Sequence, residues 1–135
     1  MTFKKIIQEG ENDNIVMDFV INSFHNITQF HIFHILTKNA PLHEALGEFY
    51  DSLLGGSDSF AEQYLGSNDL GELGDIKPFN FTYEFSRETI KDYLTSFQDS
   101  ILKIRTIITD STLLNVLDTI NESANKLSYK LKMDQ

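Results

Sequence analysis

The chain has no cysteine and no tryptophan among its 135 residues. Without thiols it can build neither a disulfide scaffold nor a thiolate metal site, which suits an intracellular protein and leaves His, Asp and Glu as its strong ligands. Proline occurs only twice, and 11 basic residues stand against 20 acidic ones, for a net charge of −9. No cluster of Lys or Arg is left over to neutralise phosphates, so no direct nucleic acid binding is expected. The opening MTFKKIIQEGENDN turns acidic before any apolar run and lacks the hydrophobic stretch of a secretory signal. The run at 15–36 is long enough to span a bilayer, yet it carries Asp18, Asn22, Asn26, Gln29 and three histidines. No membrane association is expected, and the expected location is cytoplasmic.

What the chain does have is aromatic and aliphatic bulk: 11 Phe, 5 Tyr and 41% hydrophobic residues, enough for one sizeable core and a single domain over residues 1–135. The apolar period is helical almost throughout. Met17, Val20, Phe24, Ile27, His31 and Ile35 fall three or four apart, which predicts helix A over about 14–38 with Asn12 to Asn14 as candidate N-caps. KNAP interrupts the pattern, and Pro41 suits the first turn of helix B, about 41–65. Residues 66–85 hold three glycines and a proline with no helical stripe. Ser86 can cap helix C, about 87–108, whose stripe runs from Ile90 to Ile108, and helix D follows at about 112–132. Two tight helix pairs joined by one long link predict an all-α four-helix bundle with B and C parallel, the ferritin-like topology with a long B–C crossover connection.

Residues 33–66, FHILTKNAPLHEALGEFYDSLLGGSDSFAEQYLG, resemble the A/B helices of the ferritin-like superfamily, in particular the starved-cell DNA-protection (Dps) proteins and their phage-encoded relatives of unknown function. In that pattern a His on helix A is followed by a His at the start of helix B, then Asp fifteen residues on and Glu four after that, in the phrase D-x-x-A-E. This chain has His43, Asp58, Ala61 and Glu62 at that spacing. For the first His there are two candidates. His34 fits the phage group, similar to H-W-x-T-K-x-x-x-x-H, with Ile35 in place of Trp; His31 gives the twelve-residue gap to His43 of Dps proteins. The resemblance implies metal ligation by His34, His43, Asp58 and Glu62, with His31 as a further candidate, and iron as the metal, with Zn or Mn as substitutes; Asp18 is a further metal candidate by its position across the A/B turn alone. It also implies Fe(II) oxidation at an intersubunit site and, if the chain is phage-encoded, a host-cytoplasm location.

Fifteen residues of helix advance roughly 22 Å, so His43 and Asp58 of one straight helix cannot hold the same ion. A second copy lying antiparallel along helix B around a two-fold axis would bring His43 beside Asp58 and Glu62 of its mate, which makes a homo-oligomer, at least a dimer, the expected partner. Two imidazoles and two carboxylates with open positions suit Fe(II), and Zn(II) or Mn(II) less selectively.

Plainer readings run beside each of these. Gly55-Gly56 can break helix B, with Ser59 capping a new helix and Glu62 completing a capping box, or can admit a close backbone such as a symmetry-related helix B. His31, on the apolar stripe, reads as a hydrogen-bonded core residue, and His25 as structural. Asp18 falls near the level of Glu62, so Asp18, Asp58 and Glu62 could gather within one subunit. Asp118 and Glu122 read as a solvated face, and Asp69, Glu72 and Asp75 lack the spacing of a calcium loop. Helices C and D contain no His, so the paired E-x-x-H of di-iron ferritins is absent. The basic extensions with which Dps proteins compact DNA are reduced to Lys4 and Lys5 near the start and three lysines near the end. The alternative of another class is a metal-free interaction or assembly protein of phage type that keeps only the bundle.

Overall fold

A computed structural model describes residues 3–68 and 78–133, with side chains from Asn12 onward. The described residues form four α-helices and no strand: α1 Phe3–Leu36, α2 Ala40–Ser67, α3 Arg87–Arg105 and α4 Ser111–Met133. None is long and apolar enough to cross a membrane. The acidic group Asp69, Glu72 and Asp75 lies outside the described residues.

Three helix starts carry the caps that local chemistry favours. Asn39 Oδ1 accepts from Leu42 N at 2.9 Å, with Pro41 in the first turn where no amide is needed. Ser86 Oγ accepts from Thr89 N at 3.0 Å, and Asp110 Oδ1 accepts from Thr112 N and Leu113 N at 2.8 and 3.1 Å. The start of α1 differs from expectation. The helix begins at Phe3, so Asn12 to Asn14 lie inside it and cap nothing.

α1 packs on α2 and α3, and α4 packs on the same two, which leaves α1/α4 and α2/α3 as diagonals. Phe33 near the end of α1 meets Phe85 and Tyr93, with centroids 6.5 and 5.6 Å away, and Arg87 Nη1 donates to Leu131 O at 3.2 Å. α3 therefore starts at the end of the bundle where α2 starts, and where α1 and α4 finish. All four helices share one core, built around Phe30, Phe33, Phe49, Phe60 and Phe97. At about 25 cal/mol per Å² of apolar surface removed from water, these five rings are its largest single contributions.

The stripes expected on α3 and α4 are the ones buried, although α3 stops at Arg105 and only its last, tighter turns continue to Ile108. On α1 the face is different. Val16, Phe19, Val20, Phe30 and Phe33 are buried, whereas Phe24, His31 and Ile35 face outward. The core face of α1 contains Ser23, Asn26 and Gln29, and each is hydrogen-bonded, as buried polar groups must be. Ser23 Oγ donates to Phe19 O at 2.8 Å, and Asn26 Nδ2 to Asn22 O at 2.9 Å. Gln29 exchanges two bonds with the backbone of Thr82, at 3.0 and 2.9 Å. His25 also holds this segment, donating from Nε2 to Asn80 O at 2.9 Å and stacking on Phe79, so its role is structural.

α2 runs unbroken through Gly55-Gly56; Ser59 starts no helix. The two glycines face different surroundings. A Cβ at Gly56 would stand 2.5 Å from Ile120 Cγ1, so this glycine lets α4 of the same chain approach, in place of the symmetry-related helix considered from sequence. A Cβ at Gly55 would meet none of the described residues within 4 Å.

Candidate functional site

The three-residue turn between α1 and α2 brings His34 and His43 face to face. Their rings stack with centroids 3.7 Å apart and planes 23° apart. His34 Nδ1 donates to His43 O at 2.6 Å, and His43 Nδ1 donates to His34 O at 2.7 Å. A carbonyl only accepts, so these reciprocal bonds fix the proton of each neutral ring on Nδ1 and leave both Nε2 lone pairs unspent. Metal-ligating histidines are held in the same way, through the other ring nitrogen to a carbonyl.

Three further residues complete the surroundings, and two of them carried no signal in the sequence reading. Tyr50, two turns along α2 from His43, stacks on His31 at 4.4 Å and meets His34 edge-on at 5.3 Å. Gly47, one turn along, lies under His34, where an added Cβ would stand 2.9 Å from Cε1. Placement four and seven residues after His43 on one helical face is the signal that could have found both. His31 itself is exposed, 6.2 Å centroid to centroid from His34, and is not the core residue expected from the stripe.

The carboxylates lie elsewhere. Asp58 and Glu62 are exposed on the outer face of α2 and make no hydrogen bond or ion pair with the described residues. Asp58 is four helical turns from His43, about 22 Å along the axis. Asp18 lies in the groove between α1 and α3, beside Ser100 and Lys103. It stands near the level of Glu62, as counted, but on the other side of α1. Among the described residues no three His, Asp or Glu side chains of one chain converge on a point that could hold a metal. Asp118 pairs with Arg105, and Glu122 with Lys126 at 3.5 Å, so both belong to a solvated, ion-paired face.

The opposite end of the α1–α2 pair has its own polar contact. Tyr64, buried, donates its phenol to Asp13 Oδ1. Burial, together with the hydrogen bond and the charge of Asp13, holds the Tyr64 phenol well above its ordinary pKa, so it stays protonated. The pair borders a polar cavity of about 430 Å³ that also reaches Ser67, Thr109 and Asp110. Here the polar atoms of the two side chains are turned on each other.

No curated protein and no solved structure matches the chain. A family model does: that of a family of unknown function, DUF5856, which matches from the first of the two stacked histidines to the last turns of α4. With residues 34–131 covered by that model, the chain belongs to the DUF5856 family.

Proposed function

We propose that the chain is a ferritin-like, Dps-like iron-binding protein whose site forms between two copies. One observation carries it: the reciprocal Nδ1–H to carbonyl bonds of His34 and His43, which leave the Nε2 atom of each ring without a hydrogen-bond partner among the described residues.

Two imidazoles fit a borderline divalent ion, Fe(II), Zn(II) or Mn(II), but they do not complete its coordination. Asp58 and Glu62 of a second copy, aligned antiparallel along α2, supply the two carboxylates that the first chain holds out of reach. With Fe(II) as substrate, the histidines position the ion, the carboxylates balance its charge, and the remaining positions admit dioxygen or peroxide as electron acceptor.

Aerobic addition of Fe(II) while following ferric absorbance tests this reading. Wild type is expected to oxidise Fe(II) faster than buffer, and His43→Ala and Asp58→Ala to fall to the buffer rate. Equal rates in all three proteins, or none above buffer, would end it.

The second reading, a metal-free interaction or assembly protein, draws on the apolar side chains that α1 leaves in solvent, Ile35 above all. It is favoured if the chain binds no divalent ion yet elutes as a stable oligomer.

A further inference from the structure

We propose that, at low ionic strength, the outer face of the α1–α2 hairpin pairs stably with the same face of a second copy only when the His34–His43 pair is loaded with a divalent cation, so that metal supply governs assembly. This rests on the reading that Asp58 and Glu62 of the partner subunit complete the site.

The face is built to attract and to repel at once. Glu44, Asp51, Asp58 and Glu62 fall within about 40° of one another around the α2 axis. All four are exposed, none has a partner among the described residues, and the 28 residues of α2 contain no Lys or Arg. Two such stripes laid antiparallel set Asp51 beside Asp51 of the partner subunit and Glu44 beside Asp58 of the partner subunit. Like charges at that range oppose contact.

On the other side of the balance are apolar side chains. Leu54 is 42% exposed on α2. Phe24 and Ile35, 41% and 65% exposed, lie two turns before and one turn after His31, on the side of α1 whose ring stacks on Tyr50. Contact would remove them from water. A divalent ion in each of the two symmetric sites cancels part of the carboxylate charge and adds bonds across the interface.

Register supplies an independent argument. Aligning His43 with the stretch between Asp58 and Glu62 of the partner subunit places Gly47 within about one residue of Gly55 of the partner subunit. Gly47 is the position over which His34 lies, so a side chain arriving there would strike the imidazole. Among the described residues nothing accounts for Gly55: a helix interior disfavours glycine, and its Cβ would meet none of them within 4 Å. The close approach accounts for it.

Light scattering on the full chain, with Zn(II) as an air-stable probe and with chelator, tests the proposal, and calorimetry follows Zn(II) binding separately. With Zn(II) the mass is expected to rise from 15.5 kDa to twice that. With chelator at low salt the chain is expected to be monomeric, and to regain some pairing at 1 M salt, where the screening length falls to about 3 Å. Asp51→Asn, which touches no ligand, should strengthen metal-free pairing about two- to threefold. Gly55→Leu should fold and bind Zn(II) at the histidines yet stay monomeric. Pairing of equal strength with Zn(II) and with chelator overturns the gate while leaving a shared site standing. Zn(II) bound with no dimer at any concentration overturns the pairing, and a Gly55→Leu protein that dimerises like wild type overturns the register. Failure of wild type to bind Zn(II) removes the underlying reading, and this inference with it.

Discussion

The two ends of the α1–α2 pair are fastened by opposite means. At one end His34 and His43 each donate to the other's backbone carbonyl from Nδ1, and each leaves its Nε2 without a partner among the described residues. At the other, Tyr64 and Asp13 use their polar atoms on each other, donor to acceptor. An end that satisfies itself contributes to stability; an end that fastens the helices and still has ligand capacity in hand is available for chemistry. That difference is why the histidine end is the better candidate site, although the larger polar cavity lies at the tyrosine end.

If this contrast holds, the largest stability loss belongs to the tyrosine end. Tyr64→Phe removes the donor from a carboxylate, and chemical denaturation at neutral pH should show a loss of about 1.5–3 kcal/mol. The pH dependence has a definite sign. The phenol's pKa is raised in the folded state, so its contribution is complete below the ordinary phenol value near 10 and is lost as pH rises beyond it. Wild type should therefore lose stability from about pH 10 upward more steeply than Tyr64→Phe. Parallel alkaline profiles for the two proteins would mean that the pair is not coupled to folding.

The middle of α2 joins the two ends and sets the next prediction. Gly56→Ala gains about 1 kcal/mol of helix propensity but forces a Cβ onto the buried, branched Ile120, an overpacking that costs about 1–3 kcal/mol. A net loss of up to about 2 kcal/mol is expected, against a gain of up to about 1 kcal/mol for Gly55→Ala next to it, both read from denaturant midpoints. Equal effects at the two positions would mean that α4 does not approach α2 as closely as the fold requires.

These neighbours also show what was legible in sequence. The α3 and α4 stripes, the cap at Ser86, Pro41 in the first turn of α2 and the short turn before it could be read directly, because each is decided by residues adjacent along the helix. The core face of α1 could not. Ser23, Asn26 and Gln29 occupy it, and their polarity moved the apparent stripe round to Phe24, His31 and Ile35; only the bonds to Phe19 O, Asn22 O and Thr82 show that polar residues fit there. Gly55-Gly56 was ambiguous for the same reason, since the residue that decides it, Ile120, is more than sixty positions away. At the site, the fifteen-residue spacing from His43 to Asp58 excluded a shared ion within one helix. The stacked, reciprocally bonded histidines were beyond reach, because nine residues and a turn separate them and no local rule specifies how their rings meet.

At the histidine end the expected losses are smaller. His34→Ala and His43→Ala should each cost about 1 kcal/mol, since each removes one hydrogen bond and the ring stack. The bonds run to backbone carbonyls and survive loss of the opposite side chain, so a double-mutant cycle isolates the stack. The double variant should fall short of additivity by about 0.5–1 kcal/mol. Full additivity would show that the rings are not in contact in solution.

The smallest stability change with the largest change in binding is expected at Gly47. An alanine there gains about 1 kcal/mol of helix propensity, and its Cβ, 2.9 Å from His34 Cε1 and 3.0 Å from Nδ1, pushes the ring away. A side chain on the surface can give way at a cost of similar size, so the thermal midpoint should move by no more than about 1 kcal/mol allows. The ring cannot move without lengthening its bond to His43 O and reorienting its Nε2. Groups that orient metal-ligating histidines typically affect affinity by 10–100-fold, so Zn(II) binding measured by calorimetry should weaken by about tenfold or more. If affinity is unchanged while the fold is intact, the orientation imposed by Gly47 is irrelevant to ligation, and the distinction drawn between the two ends of the hairpin fails at its functional end.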